Sequence, residues 1–156
     1  MGLSHVERDG TVKMVDISEK QASSRVAVAE GKITMSRETY AAIRERSLKK
    51  GDALVTAQIA GIMAAKETSR LIPLCHPIAL SRVSVDFEFG EDGSSISCRC
   101  ETATTAPTGV EMEALTGCSV ALLTIYDMGK AIDRGMRIGD IRVTLKDGGA
   151  SGRYVG

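Results

Sequence analysis

Residues 114–126, ALTGCSVALLTIY, carry no charged side chain and are bracketed by charges, Glu111 and Glu113 before them and Asp127, Lys130 and Asp133 after. With Thr108-Gly109 as an opening and Gly135 as a stop, the pattern predicts a helix over 108–134. The run is too short and too rich in Gly, Ser and Thr to cross a membrane, so it reads as a core helix. A helix that is apolar on all sides must be covered on all sides. One sheet covers a single face, so the other is expected to meet another subunit, which predicts a homo-oligomer.

The rest of the chain supplies the covering sheet. Residues 25–35 (RVAVAEGKITM) are β-branched around Glu30-Gly31, which predicts a strand with a bulge or tight turn. Ser36 is a helix N-cap before 37–48, and Asp52 caps a second helix over 53–70 whose small residues invite close approach of another backbone. Pro73 and Pro77 bracket an irregular segment, 71–78. Residues 83–89 alternate at period two, turn at 90–93 and return over 95–104, which predicts a hairpin; a last strand follows over 137–145. This order predicts an α+β fold of the ferredoxin-like type, an antiparallel sheet with helices packed on one face. Residues 1–15 read as a mobile N-terminal arm, 16–149 as one domain, and the Gly-rich 150–156 as a flexible tail.

Twenty basic and twenty acidic residues give a formal net charge of zero, which excludes a general nucleic-acid binder because that needs a basic field. Charged residues near the N-terminus interrupt any signal-peptide apolar region, and no run is long enough for a membrane span, so a cytoplasmic protein with reduced thiols is expected. Cys98 and Cys100 would then be buried thiols on one face of a strand, since no second C-x-C or C-x₂₋₄-C pair stands elsewhere to complete a zinc site.

Asp127 and Lys130 are three residues apart and share a helix face. The plain reading is a solvated ion pair; the functional one is an acid and a base, partly buried together and tuned toward neutral pH. Glu113 and Asp127 share an azimuth but lie about 21 Å apart along the axis, so one subunit cannot bring both to a small ligand, whereas two antiparallel subunits can. His76 sits in the apolar LIPLCHP loop and needs a polar partner there, while His5, in the arm, is expected to play no part. Cys75 and His76 are expected to point to opposite sides, which disfavours a nucleophile–base pair. Arg142 and Lys146 are expected on one face of the last strand, and with Lys49, Lys50, Lys66 and Arg70 they are candidates for a polyphosphate site. No Walker loop is present.

Four segments resemble one family. They are KGDALVTAQIAGIMAAKETSRLIPLCHP from Lys50, TGVEMEALTGCSVALLTIYDMGKA from Thr108, IGDIRVTLKDGG from Ile138 and the short MVDIS from Met14. Together they resemble the cyclic pyranopterin monophosphate synthase (MoaC) family of molybdenum-cofactor biosynthesis. The resemblance implies a homohexamer, a trimer of dimers with active sites between subunits. It implies a lyase converting (8S)-3′,8-cyclo-7,8-dihydroguanosine 5′-triphosphate to cyclic pyranopterin monophosphate with release of pyrophosphate, and transient contact with an upstream radical enzyme. Carried onto this chain, it implies Asp127, Lys130 and Lys50 as catalytic residues in one pocket. It also implies substrate binding by Leu74, Cys75, His76, Glu111, Met112, Glu113, Lys146 and Arg25. No metal or other cofactor is required by these residues, and magnesium would arrive on the triphosphate. Gly129 departs from a common Cys, and Pro107 and Ala150 each from a common Lys. The alternative reading is a non-catalytic oligomeric protein that binds a pterin or nucleotide triphosphate.

Overall fold

The computed structural model describes residues 5–156. Its elements are β1 (Ser23–Thr34), α1 (Arg37–Arg44), α2 (Ala53–Lys66), α3 (Thr68–Leu71), β2 (Arg82–Phe89), β3 (Ser95–Ala106), α4 (Glu111–Gly129), β4 (Arg137–Asp147) and β5 (Tyr154–Val155). The five strands form one antiparallel sheet in the order β2-β3-β1-β4-β5. The expected α+β class and the β2–β3 hairpin, which pairs Phe89 with Ile96 and Phe87 with Cys98, are both present.

The core lies between the sheet and α4. Alternate residues of β1 (Ala27, Ala29, Ile33) and β3 (Ile96, Cys98, Cys100) are buried with Ala114, Cys118, Ala121, Leu122 and Ile125 of α4. Burial of Cys98 and Cys100 together on the helix-facing side matches the thiol reading of the C-x-C pair. Close approach depends on missing side chains. A Cβ on Gly31 of β1 would stand 2.8 Å from Ile141 Cγ1 and 2.9 Å from Leu122 Cδ1. Helices α2 and α4 meet through Gly61 and Gly117: a Cβ on Gly61 would lie 2.9 Å from the Gly117 carbonyl oxygen, and one on Gly117 2.6 Å from Cys100 Sγ. The small residues of α2 thus admit a helix of the same chain.

Caps set the helix starts. Ser36 Oγ accepts from Thr39 N at 3.2 Å, and Asp52 Oδ1 accepts from Leu54 N and Val55 N at 3.1 Å each. Three helices end earlier than expected. Helix α1 stops at Arg44 because Arg46 takes a left-handed conformation, φ 56°. Helix α2 stops at Lys66, and Thr68 Oγ1 donates back to the Ala65 carbonyl at 2.9 Å as α3 begins, so Arg70 sits in α3 beside Glu67 rather than on α2 with Lys66. Helix α4 runs only over Glu111–Gly129: the Asp133 carboxylate turns away to accept from Ser36 N at 2.8 Å and Gly135 N at 2.9 Å.

The bulge expected near Glu30-Gly31 is present as a register shift between Glu30 and Lys32 against β4. A second shift, between Val28 and Ala29, was not foreseen and corrects the pairing of basic residues. Arg142 pairs with Glu30 and Lys146 with Ala27, three positions apart on β1, so the two cations lie on opposite faces of the sheet. The tail, expected to be flexible, instead adds β5 on the edge: Lys146 pairs with Tyr154, Leu145 with Val155, and Gly156 N donates to the Thr144 carbonyl at 3.0 Å. Part of the expected mobile arm is also folded, with a Val6–Val12 bridge and a Lys13–Glu7 ion pair; residues 1–4 lie outside the described residues.

Candidate functional site

Helix α4 carries candidate residues at both ends, and the structure sorts them into two clusters. At its C-terminal end Asp127 lies between two ammonium groups. Lys50, from the turn before α2, donates to Asp127 Oδ2 at 2.9 Å and to the Asp127 carbonyl at 3.1 Å, and Lys130 Nζ is 2.8 Å from Oδ1. Hydrogen bonds from Lys130 and then Lys50 hold the Asp127 carboxyl down at about 2. The carboxylate is 55% exposed, so tuning toward neutrality is not found in the single chain. As it stands, Asp127 is a fixed anion that orients two cations.

Gly129 lies between Asp127 and Lys130 in the chain, at the last position of α4. A Cβ there would stand 3.1 Å from Met136 Cε and 3.2 Å from Thr39 Cγ2, so α1 and the segment before β4 close over the helix end where a side chain is missing.

The N-terminal end of α4 opens onto a cavity of about 390 Å³. Leu74, Cys75, His76, Glu111, Met112 and Glu113 line it, with Thr108-Gly109, Ile78 and part of the N-terminal arm. Glu113 is only 4% exposed, and burial pushes its carboxyl up to about 7, with the neighbouring Glu111 charge acting in the same direction. A carboxyl poised there can accept or donate a hydrogen bond near neutral pH. Lys146 on β4 reaches to 3.9 Å from Glu111 Oε1 and donates to Ser151 Oγ of the C-terminal segment. Arg25 on β1 is buried, and its Nε donates to the Ala106 carbonyl at 3.0 Å.

The polar partner that His76 required is the Val15 carbonyl, 2.6 Å from Nε2. A carbonyl oxygen only accepts, so Nε2–H is the donor in this bond. Cys75 and His76 both line the cavity, contrary to the expected opposite orientation, because Cys75 N bonds back to the Ile72 carbonyl in a turn instead of an extended segment. No thiolate follows: burial, and then the Glu113 charge, raises the Cys75 thiol. His5, expected to play no part, is one of the lining residues, as are Val15, Ile17 and Lys20. No periodic signal marks these positions, since they are placed by a fold-back of the arm and not by a helix or strand.

The two clusters stay apart within the chain. Glu113 and Asp127 are fourteen residues apart on one helix, about 21 Å. Of the sequence candidates, Lys50, Asp127 and Lys130 come together at one end; Leu74, Cys75, His76, Glu111, Met112, Glu113, Lys146 and Arg25 gather toward the other.

In this α+β domain the lined cavity at the start of α4 and the lysine-clamped carboxylate at its end are the two candidate sites for a small polar molecule. Comparison with known proteins narrows this. The MoaC family model matches residues 14–149. A cyclic pyranopterin monophosphate synthase of Syntrophomonas wolfei is 52% identical over 155 residues, covering 99% of each chain. Proteins of the same name from Parvibaculum lavamentivorans and Novosphingobium aromaticivorans are 51% and 55% identical over 152 residues, covering 97% of this chain and 95% and 96% of theirs. The chain belongs to the MoaC family.

Proposed function

We infer that this protein acts as a cyclic pyranopterin monophosphate synthase in molybdenum-cofactor biosynthesis. The observation that carries this reading is near-end-to-end identity of 51–55% with three proteins of that name. The reaction is that of a phosphorus–oxygen lyase: the cyclised guanosine triphosphate is rebuilt as a pterin, a hydroxyl oxygen closes on the α-phosphorus, and pyrophosphate leaves.

In this reading Asp127 and Lys130 move protons during ring opening and reclosure once substrate and a second copy cover the pair, which the single chain leaves as a fixed ion cluster, and Lys50 holds Asp127 in place. Glu111 and Glu113 bind the guanidine-like edge of the base, with Glu113 supplying either an acceptor or a proton. Leu74, Cys75, His76 and Met112 form the wall around it. Lys146 and Arg25 offset phosphate charge as pyrophosphate departs. Any magnesium arrives on the triphosphate oxygens.

The 21 Å separation along α4 requires a second copy of the chain to bring an Asp127 cluster to a Glu113 cavity. Val55, Ile59 and Met63 of α2 and Leu123 of α4 are large apolar side chains left exposed in the single chain, and they supply a surface for that copy. A homohexamer built as a trimer of dimers is the assembly in this reading. Transient contact with the upstream radical enzyme, which delivers the substrate, belongs to the same reading.

Turnover of the cyclised guanosine triphosphate, followed by pyrophosphate release, tests the function. Wild type is expected to turn over, and Lys130→Ala and Asp127→Ala to lose several orders of magnitude while still binding substrate. Binding without pyrophosphate release by the wild type would instead identify a non-catalytic binding protein.

A further inference from the structure

Lys146 is a lysine with little access to water. Its side chain is 19% exposed, and that of the nearby acid Glu111 is 31% exposed. A lysine this covered is ordinarily paired. Yet Lys146 Nζ stands 3.9 Å from Glu111 Oε1, beyond hydrogen-bond reach, and the ammonium donates instead to Ser151 Oγ. Among the described residues Ser151 is the one hydrogen-bond partner of that ammonium. A partly covered ammonium and carboxylate gain by closing to direct contact, so this pair is held open from both sides.

On the Glu111 side the restraint is the start of α4. Val110 offers no side-chain cap, so the Glu111 charge itself serves the helix N-terminus. Its carboxyl group lies back against Gly109: a Cβ there would stand 2.8 Å from Glu111 Cδ. On the Lys146 side the restraint is the C-terminal return. Gly149 and Gly152 take φ +82° and +72°, and Gly152 N donates to the Gly149 carbonyl at 3.2 Å, which closes a turn around Ser151. The chain then pairs back on β4, with Tyr154 opposite Lys146 itself. One short segment therefore fixes Lys146 twice, its backbone through β5 and its ammonium through Ser151.

We propose that Ser151 is a positioning residue of the synthase site, holding the Lys146 ammonium off Glu111 so that both charges stay available to the substrate. The proposal rests on the synthase reading and brings the C-terminal return into the site. Without the hydroxyl, the ammonium swings onto the Glu111 carboxylate. The cation that faces phosphate and the acid that faces the base then neutralise each other.

Calorimetric titration of the full chain with inorganic pyrophosphate tests it. Ser151→Ala is expected to weaken binding by about tenfold, and Ser151→Thr, which keeps the hydroxyl, to stay within about threefold of wild type. The discriminating background is Glu111→Gln. With no carboxylate for the ammonium to close on, adding Ser151→Ala is expected to cost less than about twofold. A merely structural role predicts the same loss in both backgrounds, and that result overturns the proposal. So does unchanged pyrophosphate affinity in Ser151→Ala, a Ser151→Thr variant as weak as Ser151→Ala, or a wild type that binds no pyrophosphate. Ser151-dependent pyrophosphate binding in a protein that does not convert the cyclised triphosphate supports the Ser151 restraint and overturns the synthase reading. Normal conversion with KM unchanged in Ser151→Ala does the reverse.

Discussion

Lys50 and Asp127, 77 residues apart in the chain, meet at 2.9 Å, and Lys130 occupies the second carboxylate oxygen at 2.8 Å. Both cations favour the charged form of the acid, Lys130 more than Lys50. Asp127 is therefore expected to titrate at about 2 by carboxyl-carbon NMR, and to rise toward its ordinary 3.8 in Lys130→Ala and, by a smaller step, in Lys50→Ala. Because the folded value is depressed, its contribution to stability is present above pH 4 and lost as pH falls through about 2. Equal titration in wild type and Lys130→Ala would remove the clamp as the cause.

Glu113 carries the opposite dependence. Its folded carboxyl is raised to about 7 from an ordinary 4.5, so between those values the folded state holds a proton that the unfolded state has lost. Its contribution to stability declines across that window as pH rises, by roughly 3 kcal/mol. Glu113→Gln is expected to flatten this decline and to be more stable than wild type at pH 8. Urea unfolding at pH 5 and pH 8 reads both, and an undiminished decline in the variant counts against Glu113 as its source.

The Gly61–Gly117 contact sets the distance between α2 and α4. Gly61→Ala gains helix propensity worth about 1 kcal/mol but forces a methyl to 2.9 Å from a backbone oxygen. Gly117→Ala meets Cys100 Sγ at 2.6 Å. Both are expected to be net destabilising by about 1–3 kcal/mol in thermal or chemical unfolding. A stabilised Gly117→Ala would mean that the helices have room to part.

Ile59 and Met63, one turn apart on α2, are 55% and 61% exposed in the single chain. If a second copy covers them, Ile59→Glu or Met63→Glu should yield smaller particles by light scattering, with loss of turnover and a retained circular dichroism spectrum. An unchanged mass in both variants would place the subunit interface elsewhere.

Much of the architecture is legible in the sequence because it is carried by long periodic runs. The uncharged 114–126 stretch, the alternating 83–89 strand and the Glu30-Gly31 bulge are all found where the pattern places them. What escapes is set by single tertiary contacts. Nothing local to Asp133 says that its carboxylate will cap Ser36 and end α4 early. The bulge at Val28 that parts Arg142 from Lys146 is a property of a strand pair, and two residues of β5 are too few for any period. At the site, Asp127 with Lys130 follows from helix spacing. His5 and Lys20 reach the cavity through the folded segment ahead of β1, which leaves no mark on composition.

Helix α4 also works as a ruler. Substitutions along it change what is packed, but the separation between its two chemically equipped ends is set by residue count alone. One inserted residue between Glu113 and Asp127 would turn one end about 100° around the axis and move it about 1.5 Å along it. The interior of this helix can therefore vary in composition far more readily than in length.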